Sequence, residues 1–125
     1  MLSDFEVTAT IPVSDLERAK KFYADKLGLR PVQETPGGLF YQCKNSHFFM
    51  YPTQFAGTAQ NTAVGWEVDH IEREVNELRS RGVKFEEYDM PGLKTVEGIA
   101  TMGAEKGAWF KDSEGNILSM IQRGK

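Results

Sequence analysis

Apolar and polar residues alternate along residues 5–13. Val7, Ala9, Ile11 and Val13 share one face, and Glu6, Thr8, Thr10 and Pro12 share the other. A period of two predicts a half-buried strand. The period then changes. Leu16, Ala19, Phe22, Tyr23 and Leu27 recur at helical spacing and form an apolar stripe. Ser14 or Asp15 is placed to cap this helix by accepting a backbone N–H, and Glu17 sets a negative charge in its first turn. Gly28 closes it. Strands are predicted over 29–35, 39–44 and 47–52, with turns at Pro36-Gly37-Gly38 and Asn45-Ser46. The first half is thus β-α-β-β-β.

The pattern returns when Val13 is laid on Val68. Ser14 then falls on Asp69, Asp15 on His70 and Leu16 on Ile71, and Gly28 reaches Gly82 with one residue lost between. Recurrence at about half the chain length marks an internal duplication. The second copy predicts a strand over 64–68 and a helix over 70–81, with Ile71, Val75 and Leu78 on one face. Further strands are predicted over 83–88, 99–102, 108–111 and 117–122. Residues 90–98, opened by Pro91-Gly92, are predicted as a loop long enough to act as a lid. Residues 53–62 are polar and aperiodic and are the predicted linker. The expected architecture is α+β: one domain over 1–125, made of a module at 5–53 and a module at 63–123. Each βαβββ module buries one sheet face under its helix, and the opposite faces curl around a central cleft.

Composition narrows the function classes. The chain has 125 residues, 40% hydrophobic and 26% charged, which is enough for one packed core. Its net charge is −3 and it has no basic block, which argues against a nucleic-acid partner. No stretch approaches the roughly 18 apolar residues of a membrane span, and MLSDFEVTAT lacks the pattern of a signal peptide. The single Cys43 has no internal partner, so a reduced, cytoplasmic protein is expected.

Three segments together resemble the vicinal oxygen chelate superfamily, which holds glyoxalase I, bleomycin resistance proteins and extradiol dioxygenases. They are IPVSDLERAKKFYADKLGL, VDHIEREVNELRSRGV and AWFKDSEGNILSMIQ. The last is similar to the family's Asp-Pro-x-Gly-Asn turn, with Ser113 in place of Pro. The resemblance implies paired βαβββ modules around a cleft, in agreement with the repeat. It also implies where a divalent metal would be held in catalytic members: on the first strand of each module, seven residues before the helix cap, and on the last strand. Here those positions are Thr8 and Ala63, then Met50 and Ser119, with Phe48 the neighbour of Met50 on its face. None is His, Asp, Glu or Cys, so no metal and no cofactor are expected.

The cleft candidates are therefore Thr8, Thr10, Tyr41, Phe48, Met50, Glu67, Trp109 and Ser119. Either Trp109 or Phe110 must face the cleft if its neighbour faces the helix, and Trp109 suits an aromatic wall for a planar ligand. Trp66 shares the helix-facing parity of Val64 and Val68 and reads as core. Cys43 reads as a buried, inert thiol. His47 and His70 alone cannot make a three-ligand site. The expected function is metal-free binding of an apolar or aromatic small molecule, as the resemblance to bleomycin resistance proteins implies, by a protein that dimerises as the family commonly does. The alternative is a divalent-metal-dependent glyoxalase-like lyase or isomerase, or a dioxygenase, with ligands drawn from Glu6, His47, Glu67 or a partner chain. A third reading has Glu67 or Tyr41 in acid–base catalysis without a metal.

Overall fold

The computed structural model describes residues 1–124. The first copy of the repeat is β1 (Ala9–Val13), α1 (Leu16–Leu27), β2 (Gln33–Thr35), β3 (Gly38–Cys43) and β4 (Ser46–Pro52). The second is β5 (Thr62–Glu67), α2 (Ile71–Ser80), β6 (Asp89–Met90), β7 (Leu93–Val96), β8 (Ile99–Met102), β9 (Glu105–Lys111) and β10 (Ile117–Gln122). The sheets run β1-β4-β3-β2 and β5-β10-β9-β8-β7-β6. In each module the first strand pairs in parallel with the last, which requires a crossover, and the other pairings are antiparallel hairpins. β1 and β5 are each an edge of their own sheet and lie against one another, so the modules meet along a seam.

The helices start by two different devices. Asp15 caps α1, its Oδ1 accepting from Arg18 N at 3.0 Å, and Gly28 ends the helix in the left-handed region at φ 71°. His70 at the start of α2 makes no side-chain cap. Gln122, from β10, replaces it by accepting from Ile71 N at 2.8 Å. Both helices press onto the same side of the sheets. Ile11, Val13, Ala19, Tyr23, Tyr41 and Met50 of the first module and Ile71, Val75, Phe110, Leu118 and Met120 of the second make one continuous core. Phe48 and Trp66 meet edge-on across the seam, ring centroids 6.4 Å apart.

Four predicted elements change. The strand expected over 29–35 forms only at Gln33–Thr35. The segment 83–88 makes an isolated bridge, Phe85 to Phe110, rather than a ladder. Residues 90–98 are not a loop, because β7 runs through them. The Glu87 carboxylate accepts from the Thr95 hydroxyl at 2.6 Å and from Gly98 N at 3.0 Å, while Arg79 Nη2 donates to Glu97 O at 2.7 Å. This stretch is pinned to its neighbours and to α2. The first strand is also shorter than its alternation predicts. Val7 keeps the parity of Ile11 yet is 91% exposed, because it precedes β1 and lies outside the ladder with β4, whose first pair is Ala9 with Phe48.

Candidate functional site

The turn between β9 and β10 clasps the two modules together. Its Glu114 side chain is fully buried and sits at the start of α1. Glu114 Oε1 accepts from Ser14 N at 2.9 Å, Ser14 Oγ at 3.0 Å, Asp15 N at 2.8 Å and Arg18 Nη2 at 3.0 Å. Glu114 Oε2 accepts from Arg18 Nε and Ser113 Oγ, both at 2.8 Å. Burial alone would raise this carboxyl, but the bonds from Arg18, Asp15 N, Ser113 and Ser14 outweigh it and bring it down to about 2. Alongside, Asp112 accepts from Tyr23 Oη, and Asn116 Nδ2 donates to Pro12 O at 2.8 Å. The linker passes over this turn at Gly57, where a Cβ would come within 2.5 Å of Glu114 O. These groups are satisfied by one another, and the arrangement sets the angle between the modules.

The sheet faces turned away from the helices are open. In the first module Thr10 lies beside Phe49 and Phe49 beside Phe40, the two rings 4.6 Å apart. Tyr51 follows on the same side at 37% exposure. In the second, Gly65 lies beside Ser119 and Ser119 beside Trp109, whose ring meets Tyr88 edge-on at 5.7 Å. Of the residues expected here, Thr10, Trp109 and Ser119 do lie on this side, Ser119 nearly covered and Trp109 half-buried, while Thr8 is exposed just before β1. Glu67 is exposed at the end of β5 and pairs with Arg123 at 2.6 Å.

Tyr41, Phe48 and Met50 are corrections. Tyr41 and Met50 are completely enclosed on the helix side. The parallel register places Phe48 opposite Ala9 and Met50 opposite Ile11, which puts both on the buried parity of β1. Tyr41 stacks on Phe48 at 4.7 Å. Burial, and after it the Glu34 carboxylate, push the Tyr41 phenol up to about 12, so it is a protonated core group rather than a base.

A cavity that the residue pattern did not reveal lies on the helix side of the seam. Its volume is about 320 Å³, and its walls come from the end of α1, from β3, β5 and from α2. Leu29, Cys43, Trp66, Val68, Leu78 and Met120 line it, with Glu67 and Glu74. A second cavity of about 410 Å³ adjoins it where β4 starts, sharing Cys43, Trp66 and Glu67 and adding His47, Phe48 and Val64. Trp66 and Cys43, read as plain core, are therefore cavity walls. Only the meeting of α1's end with α2, a tertiary event, reveals them.

Against this geometry the comparisons are specific about the fold. The family model of the Glyoxalase/Bleomycin resistance protein/Dioxygenase superfamily matches residues 7–120. The chain belongs to this superfamily. The glyoxalase family protein from Enterococcus faecalis superposes with a TM-score of 0.72 at 19% identity, over 97% of this chain and 99% of that one. TnmS3, an antibiotic binding protein from Streptomyces sp. CB03234, gives 0.65 at 21%, over 96% and 98%. Lactoylglutathione lyase from Agrobacterium tumefaciens gives 0.65 at 18%, over 98% and 96%. Likeness at these identities describes the shared fold. No curated protein sequence matches the chain.

Catalytic members of the superfamily hold a divalent metal on the first and last strand of each module. In the observed register the position expected at Met50 belongs to Phe49, which shares its side with Thr10 and is the counterpart of Ser119. The four positions are then Thr8, Phe49, Ala63 and Ser119. Two hydroxyls, a phenyl ring and a methyl do not fit a divalent transition ion. Among the described residues no three His, Cys, Asp or Glu side chains converge on such a site. His47 has Glu6 near it, at 3.9 Å, but no third donor. Among those residues, too, no helix is long and apolar enough to cross a membrane.

Proposed function

We propose that this superfamily member binds an apolar or aromatic small molecule on its open sheet faces, without a metal and without transforming it. One observation carries the reading. The positions that would hold an ion in catalytic relatives are Thr8, Phe49, Ala63 and Ser119, while the same sides of the sheets carry the rings of Phe40, Phe49, Tyr51 and Trp109. Flat aromatic groups suit an organic guest gripped by stacking and area, and they offer no lone-pair donor to a divalent metal ion. The superfamily's bleomycin resistance members and the antibiotic-binding TnmS3 support the reading. A homodimer in the cytoplasm belongs to the same proposal, since a second copy would close over these half-exposed rings.

A melting-temperature screen of aromatic and amphipathic compounds tests it. A binder raises the melting temperature in proportion to its saturation, moves the Trp109 indole resonance and is recovered unchanged. The second reading, a divalent-metal-dependent lyase, isomerase or dioxygenase, draws on the neighbouring pair His47 and Glu6. Elemental analysis of protein purified without chelator separates the two. One transition ion retained per chain overturns metal-free binding, and so does a broad library in which no compound shifts the melting temperature.

A further inference from the structure

We propose that the helix-side cavity is a separate binding site, and that it takes a small organic cation with an apolar body. It lies across the sheets from the open faces, so it stands independently of the function proposed above. At about 320 Å³ it is at the lower end of ligand pockets, with room for one or two rings. Its walls are mainly apolar and include the Trp66 side chain. Among the described residues, the charged ones in its lining are two carboxylates, Glu67 and Glu74, with no Lys, Arg or His.

Three nearby arginines are held by acids at the rim, while Lys44 and His47 line the adjoining cavity. Arg123 pairs with Glu67 and Glu105, each at 2.6 Å, Arg73 lies 3.5 Å from Glu74, and Arg81 pairs with Glu77 at 3.1 Å. A guest cation would keep its apolar body against Leu29, Val68, Leu78 and Met120. Its charge would lie toward the carboxylates and over the indole. An anion of the same shape would meet two carboxylates at the mouth, each already sharing an arginine and partly screened by solvent, and would gain no ion pair from the described lining residues.

The chain has two tryptophans, one for each face: Trp66 in this cavity and Trp109 on the open sheet. Their indole N–H resonances therefore report the two sites separately. The full chain would be titrated with 1-naphthylmethylammonium, 1-naphthalenemethanol and 1-naphthoate. The cation is expected to move the Trp66 signal and to bind about fivefold more tightly than the alcohol, and the naphthoate more weakly than either. Glu74→Gln should weaken the cation about threefold and leave the alcohol unchanged. Cys43→Phe, or Leu78→Phe where the first variant does not fold, should abolish the Trp66 response by filling the space. Equal or tighter naphthoate binding overturns the ligand class. A Trp66 signal unmoved by all three probes overturns the site, and movement of Trp109 alone does so while leaving the sheet-face reading standing.

Discussion

The Tyr23 hydroxyl donates a 2.7 Å hydrogen bond to Asp112 Oδ2, joining α1 of one module to the β9–β10 turn of the other. Tyr23 is completely buried, and burial followed by the Asp112 charge pushes its phenol well above the ordinary range, so it stays a donor. Its ring also packs near Phe22, Tyr41 and Phe48 at 5.8–6.0 Å. Tyr23→Phe keeps that packing and removes one bond, and Asp112 retains Asn116 Nδ2 and the N–H groups of Glu114 and Asn116. The expected loss is about 1–2 kcal/mol. Asp112→Ala strands the hydroxyl and both N–H groups together, and should cost about 3 kcal/mol or more. Urea unfolding at constant m-value distinguishes the two.

Glu114 gives the clasp a pH dependence of definite sign. Its carboxyl falls from an ordinary 4.5 to about 2 in the fold. A depressed carboxylate stabilises the native state fully above its unfolded value, and this is lost as the pH falls from about 4.5 toward 2. Because Arg18 is half-exposed, solvent screening trims the contribution to on the order of 2 kcal/mol. Stability measured from pH 6 to pH 2 should fall through that window in the native protein. In Glu114→Gln it should start lower and fall less steeply, whereas equal slopes would show that other carboxylates carry the acid sensitivity.

Much of this was legible in the residues, and the parts that were not have physical causes. The alternation in β1 identified Ile11 and Val13 as core and Thr10 as outward-facing, because polar and apolar residues take turns there. In β4 the run His47-Phe48-Phe49-Met50-Tyr51 is nearly all apolar, so period alone cannot say which side is buried. The parallel register with β1 decides it, and it exchanges Met50 for Phe49 on the open side. The Ser113–Asn116 turn was visible as a turn and as a family signature. Its bonds to Ser14 and Arg18 span 96–100 residues, and no local pattern encodes such a contact. The helix-side cavity was invisible for the same reason.

Gly65 and Ser119 make a tighter test of the strand positions that face outward. They are partners in the β5–β10 ladder, and a Cβ on Gly65 would stand 2.3 Å from Ser119 Oγ. Gly65→Ala must therefore displace the Ser119 side chain, at an expected cost of about 1–3 kcal/mol. Ser119→Gly should recover most of that loss in the double variant, because it removes the atoms in conflict. A double-mutant cycle by thermal unfolding reads the coupling directly. Additive losses would mean that the ladder can shift to admit the methyl group, and that the close approach does not fix the register.

Trp109 is the residue on which sheet-face binding is most exposed to failure. Its neighbours across the ladders are Ser119 on one strand and, edge-on, the Tyr88 ring, and it remains only half-buried. Its indole therefore has surface left to give to a guest. For any aromatic compound found in the melting screen, Trp109→Ala should weaken binding about tenfold, since one well-stacked ring contributes about 0.5–1.5 kcal/mol beyond its area and the area itself is lost as well. Trp109→Phe should lose less, because it keeps a flat face. Neither change reaches the helix-side core around Tyr23, so the unfolding midpoint without ligand should move little. Calorimetric titration of both variants checks this, and unchanged affinity in Trp109→Ala would move the guest away from the open face.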